Sequence, residues 1–224
     1  MTSQRKPQLS AEAAAHVRAL VISGQLPPGT QVRPEVVGKE LGISTTPARE
    51  GLQSLRVEGF LELVPRRGFQ VAPLTGDDIR DLFCAQALLA GELAARAASN
   101  RGAEDLAELE ALHHELLAAA ARKDTDLLEE KNHAFHRQIN HLARSRRMLW
   151  VLGLTTRYVP RRFYASIEGW PEATAADHAQ IISGIRTGDP DATRRAVQDH
   201  VVHAGELLAE HFDARATDVP ERTA

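Results

Sequence analysis

Aromatic residues make up only 4% of this chain, and a single cysteine, Cys84, occurs among its 224 residues. One thiol excludes an internal disulfide and fits a reducing compartment. No stretch approaches the ~20 consecutive apolar residues of a membrane-spanning helix. Residues 1–20 carry Arg5, Lys6, Glu12, His16 and Arg18, so neither a secretory signal nor a membrane span is expected, and a cytoplasmic protein is. A phosphate-binding glycine loop and a Ser or Cys nucleophile motif are also missing, which argues against an enzyme. What is plentiful is aliphatic. A hydrophobic content of 43% with so few rings suits stacked helices, and the length exceeds that of the usual single domain.

Between Pro34 and Val71 the pattern is that of a winged helix-turn-helix. Val36, Val37 and Leu41 give a short helix its apolar side, Gly42 permits a left-handed turn, and Ile43 closes the gap before Ser44 opens a second helix. The Ser44 hydroxyl is placed to cap the N–H of Thr46, and Pro47 sits in the first turn, where its missing N–H costs nothing. Ala48, Leu52 and Leu55 face inward at spacings of four and three; Thr45, Arg49, Gln53 and Arg56 share the opposite, polar side, which is free to enter a major groove. Gly59 stops this helix. Two β-prone runs follow, Phe60–Val64 and Phe69–Val71, joined by Pro65-Arg66-Arg67-Gly68 into a hairpin with a basic tip of the kind that grips phosphate or the minor groove. The alternative is a solvated hairpin behind an ordinary amphipathic helix pair.

Charge divides the same way. Residues 1–72 have a net charge of +3 and residues 73–224 a net charge of −6, so the basic excess lies with the winged helix. An acidic second half is repelled by phosphate and is expected to do something else. The boundary falls near Ala72-Pro73-Leu74, with Thr75 capping a helix whose first turn carries Asp77 and Asp78. The rest reads as about six helices, near 75–99, 103–122, 125–143, 146–166, 172–187 and 190–213. The expected organisation is mainly α: a winged helix over 1–72, an all-helical bundle over 73–214 and a disordered tail over 215–224.

Helical phase sorts the ten histidines. On the third helix of the second half, Leu128, Asn132, Phe135, His136, Ile139 and Leu142 form an inward stripe, and Glu130, His133, Arg137, Asn140 and Arg144 an outward one. His178 shares a face with Ile181, Ile182 and Ile185, and His200 with Ala196, Val197, Ala204 and Leu207, whereas His203 lies with Asp199, Glu206 and Glu210. Each inward imidazole taken alone is better explained as a core residue satisfied by a backbone carbonyl or a water. Three on three apolar stripes are costly unless every ring nitrogen finds a partner, and one metal ion between the helices would satisfy all of them.

Two stretches carry a resemblance. Residues 9–72 resemble the DNA-binding domain of the GntR family, through Ser23-Gly24-Gln25-Leu26-Pro27-Pro28-Gly29, Leu41-Gly42-Ile43-Ser44-Thr45-Thr46-Pro47-Ala48-Arg49-Glu50 and Glu58-Gly59-Phe60. The resemblance implies operator contacts by Ser44, Thr45, Thr46, Arg49 and Gly68, with Arg66 and Arg67 beside them. The family usually has arginine where this chain has Thr45, so a guanidinium able to fork onto guanine is replaced by a hydroxyl. The second half is similar to the all-helical FadR-type effector domain known as FCD. That implies a metal held by Asn132, His136, His178 and His200, with Asn132 standing where aspartate is usual. An amide oxygen is a weaker, neutral ligand, and three imidazoles favour zinc or nickel over magnesium or calcium. The resemblance further implies a carboxylate effector at that ion. An inward arginine is usual near Gln86; Arg157, on the helix expected to line the same cavity, is the candidate to compensate for its loss, and an ordinary exposed arginine is the alternative.

These readings point to a homodimeric transcription regulator that binds an inverted-repeat, double-stranded DNA operator and is modulated by a small organic acid. Two alternatives stand beside it. One is a DNA-binding protein whose metal is structural only; the other is a metal-dependent hydrolase. Against a di-metal enzyme, Glu130 and His133 of the pair Glu130-x-x-His133 lie on the charged face, although Glu110-x-x-His113 has the same spacing. Against a mononuclear hydrolase, no inward Asp or Glu stands out as a base.

Overall fold

In the computed structural model, which describes residues 5–156, 164 and 167–217, the chain divides into two compact units, Met1–Leu74 and Thr75–Ala224. The first opens with α1 (Arg5–Ile22), whose Ala13, Ala14 and Val17 are buried. Strand β1 (Gln31–Val32) and helix α2 (Pro34–Leu41) follow, then α3 (Thr45–Val57) and strands β2 (Leu61–Val64) and β3 (Gly68–Val71). Gly42 turns the chain between α2 and α3 with φ of +66°, in the left-handed region that a side chain would strain. Ala48, Leu52 and Leu55 are fully buried, while Thr45, Arg49, Gln53 and Arg56 are exposed, as the phase of α3 requires.

Three details of the first unit differ from the sequence reading. Val36 is 49% exposed; Pro34, Val37 and Gly38 supply the buried side of α2 instead. Ser44 is the N-cap of α3 in extended conformation, but its hydroxyl makes no capping hydrogen bond. The hairpin β2–β3 is joined by β1 into an antiparallel sheet of order β1-β3-β2, with Val32 opposite Phe69 and Leu63 opposite Phe69 on the other side. Two residues are too few to show alternation, which is why β1 leaves no periodic signal.

The second unit holds α4 (Gly76–Asn100), α5 (Ala103–Arg122), α6 (Thr125–Leu142), α7 (Arg146–Thr155), α8 (Trp170–Thr187) and α9 (Pro190–Thr217). Thr75 and Asp78 form a reciprocal capping box on α4. Helix α9 lies along α4 at a separation that only glycine permits: a Cβ on Gly205 would stand 2.5 Å from the Cβ of Phe83. Small residues on α4 (Ala94, Ala97, Ala98) meet Phe135, Ile139, Ile181, Ile182, Ile185 and Val197 in one apolar core.

Here too the boundaries shift. Helix α7 spans Arg146–Thr155, and most of the remainder of the expected 146–166 lies outside the described residues; Trp170-Pro171 belongs to α8 as its first two residues rather than to a break before it. Gly169 is the N-cap, at φ of +79°, and Pro171 fits the first turn because no N–H is needed there. Helix α9 runs to Thr217, so residues 215–217 are helical; the remainder of the expected tail lies outside the described residues. No helix among the described residues is long and apolar enough to cross a membrane.

Candidate metal centre and nucleic-acid interface

Helices α6, α8 and α9 each bring one imidazole to a common point. Ligand atoms of His136, His178 and His200 all lie within 4.8 Å of one another. His136 and His200 are stacked, with Nε2 of one 3.1 Å from Nε2 of the other. Two nitrogens bound to one ion at about 2.0–2.1 Å stand roughly 2.9–3.4 Å apart, so this pair is already at ligand spacing. His178 is fully buried, stacks on Phe135 at 4.0 Å between centroids, and has no hydrogen-bond partner for either ring nitrogen. Asn132, one turn before His136, has a buried Oδ1 that is also unpartnered. Orphaned buried groups of this kind carry a desolvation cost that an ion would remove, and the residues fit one.

Electrostatics favour the ligand form. Burial, followed by the neighbouring imidazoles, holds His136 and His178 well below the ordinary histidine pKa, so both stay neutral and keep a lone pair. His200 is fixed from behind, its Nδ1 lying 3.0 Å from Asp177 Oδ2. With the Nδ1 proton donated to that carboxylate, the Nε2 lone pair points at the common site, as an oriented metal-binding histidine requires.

Sequence reading did not find Asp177. It precedes His178 on α8 but serves His200 on α9, a pairing no spacing along one helix reveals. It therefore supplies an acid next to the cluster, where none was expected, yet it touches the ring nitrogen facing away from His136. His113 on α5, noted in the sequence only for its spacing from Glu110, lies near the cluster: its ring is 6.1 Å from that of His178, its Nδ1 is buried without a partner, and burial lowers its pKa.

A cavity of about 180 Å³ opens beside the cluster, lined by Asn132, His136, His200 and Gln86 together with Phe83, Leu152, Tyr164 and Trp170. Gln86 is buried and donates from Nε2 to the Thr155 carbonyl at 3.0 Å, near the end of α7. Asn140, expected on the outward stripe, is half-buried and lines the same cavity, and exposed His133 joins it there. His203 is exposed. Arg157 lies outside the described residues.

In the first unit the seven residues expected at DNA are all exposed: Ser44, Thr45 and Thr46 at the start of α3, Arg49 one turn on, and Arg66, Arg67 and Gly68 at the hairpin tip. Arg66 turns the tip with φ of +65° and Gly68 continues it at +81°. A shallow concavity joins Arg49 to the hairpin tip and includes Arg33 just before α2. Gln31 of β1 braces it, donating from Nε2 to the Arg67 carbonyl while its Oε1 accepts from Arg33 Nη2 at 3.1 Å. This brace follows from the third strand and was invisible without it.

Comparison with known proteins gives a consistent picture. Residues 9–71 match the family described as bacterial regulatory proteins, gntR family, and residues 81–203 match the FCD domain. The chain is 26% identical to the Glc operon transcriptional activator of Escherichia coli K12, over 95% of each chain. It is 25% identical to the HTH-type transcriptional repressor RspR of the same organism, over 86% of this chain and 85% of that one. Among solved structures, E. coli McbR/YncC superposes with a TM-score of 0.69 at 21% identity, covering 91% of this chain and 98% of that one, which shows a shared fold.

Proposed function

We propose, from the premise that this chain belongs to the gntR family of bacterial regulatory proteins and carries an FCD domain as its second half, that its operator binding is governed by a small organic acid held at a metal ion among Asn132, His136, His178 and His200. The protein is a DNA-binding transcriptional regulator. One observation carries the metal-linked reading: three imidazoles from three helices converge within 4.8 Å, and the most buried of them has neither nitrogen satisfied. A structural histidine cluster would instead hydrogen-bond its nitrogens to carbonyls.

The ion, when bound, supplies a positive charge with open positions for a carboxylate oxygen. A set of three imidazoles and one amide favours zinc or nickel. The chain does the rest. Asp177 holds the His200 ring, Phe135 fixes His178 by stacking, and Phe83, Leu152 and Trp170 give the cavity an apolar wall that keeps water from competing for the ligand. Gln86, spent on the Thr155 carbonyl, orients the end of α7 and offers no countercharge, which favours an acid with a single carboxylate.

A cytoplasmic homodimer reading an inverted repeat completes the proposal, since one winged helix contacts too few base pairs for useful selectivity. Support comes from exposed apolar side chains on α4 and α7, namely Leu88, Trp150, Val151 and Leu154, a set unusual on a monomer surface. The test is an operator titration by fluorescence anisotropy with metal-loaded and chelator-treated protein across a panel of small mono- and dicarboxylic acids. An acid that shifts operator affinity in wild type and not in His178→Ala supports the reading; no response to any acid in the loaded protein leaves a regulator whose metal is structural.

A further inference from the structure

The concavity on the first unit contains one element of the wrong sign. Four arginines line it, Arg33, Arg49, Arg66 and Arg67, and among the described lining residues Glu35 is the sole carboxylate. It sits in the first turn of α2, and its Oε1 lies 3.5 Å from Nη2 of Arg49, the arginine on the groove-facing side of α3. Both side chains are more than 60% exposed, so the pair is weak and opens at little cost.

We propose that Glu35 is a specificity-determining residue: it occupies Arg49 whenever no matching base edge competes, and so holds down binding to non-operator DNA. Non-specific affinity comes almost entirely from arginine and lysine on phosphates. On an arbitrary sequence, Arg49 has a choice between a phosphate and a carboxylate already beside it. On the operator, a base acceptor in the groove offers Arg49 a directional, partly desolvated bond, and the Glu35 contact is given up. The carboxylate therefore subtracts more from the wrong complex than from the right one, which is specificity gained by penalising the competitor. Because non-operator sites vastly outnumber operators, that subtraction bears directly on occupancy.

A carboxylate in the first turn of a helix also favours the helix dipole, and a purely structural role would show in stability alone. The experiment therefore compares wild type, Glu35→Gln, Arg49→Ala and the double variant, measuring melting temperature and affinity for operator and for scrambled duplex from 0.05 to 1 M salt. Freeing Arg49 adds one phosphate contact on scrambled DNA, worth about fivefold in affinity at 0.15 M relative to 1 M, with the salt slope steeper by about 0.9. Glu35→Gln is expected to show that gain on scrambled duplex, a smaller gain on operator, a reduced ratio between them, and no gain when Arg49 is alanine. Unchanged affinity for scrambled DNA, a loss on operator, or a gain that survives Arg49→Ala would each overturn the proposal.

Discussion

The two halves of this chain expose their working residues in opposite ways. In the winged helix Thr45, Arg49, Arg66 and Arg67 stand in solvent on elements adjacent in sequence, whereas in the helical unit His178 and His200 are buried on the consecutive helices α8 and α9 and meet His136 from α6, more distant along the chain. An exposed reader tolerates the loss of one side chain with its fold intact; a buried cluster couples ligand to fold. Variants should therefore separate cleanly: changes in the second unit act on stability and metal together, and changes in the first act on DNA alone.

The largest effect is expected from His178→Ala. It removes a fully buried imidazole of the proposed site, and the stabilisation expected to be lost with the metal is roughly 3 kcal/mol at a free metal concentration a hundred times the dissociation constant. Thermal melts with and without chelator should show a wild-type shift that the variant lacks. Arg49→Ala should instead leave the melt unchanged and weaken operator binding by about 1–3 kcal/mol in a gel-shift titration. A fall in melting temperature there would blur the contrast between the halves.

Asp177→Asn sharpens the contrast from inside the buried site. Without the carboxylate behind His200, metal affinity measured by competition with a chromophoric chelator should fall about 10- to 100-fold. Asn132→Asp should move it the other way, by adding a charged ligand.

Acid gives a further expectation. His136 and His178 have folded-state pKa values well below the ordinary 6.5, so the unfolded chain binds more protons as pH falls past that value. Stability of chelator-treated protein should be full above about pH 6.5 and should decline below it, by up to about 1.4 kcal/mol per pH unit for each histidine. Denaturant melts across pH 5 to 8 check this; a flat profile would mean that both rings are solvated. The smallest effect belongs to the wing, where Arg66→Ala or Arg67→Ala should weaken specific and non-specific DNA about equally and flatten the salt dependence by about one phosphate each.

Much of this was legible from periodicity. The inward set of α3 and the three inward histidines follow from a 3.6-residue repeat, which orients side chains without knowledge of their neighbours. What escaped depends on contacts between elements. Asp177 is meaningful only because α8 and α9 pack together, and the Gln31 brace only because a two-residue strand joins the hairpin. Val36 misled because an apolar side chain on a short helix of the first unit was counted as core, when Pro34 and Gly38 provide the close-packed surface.

The central claim, that the helical half is built around a metal, is tested most directly by elemental analysis of purified wild type, His178→Ala and His203→Ala after gel filtration. Close to one equivalent of a transition metal per chain is expected in wild type and His203→Ala, and almost none in His178→Ala. Equal metal in wild type and His178→Ala, or a wild type that is metal-free and fully stable, would contradict it.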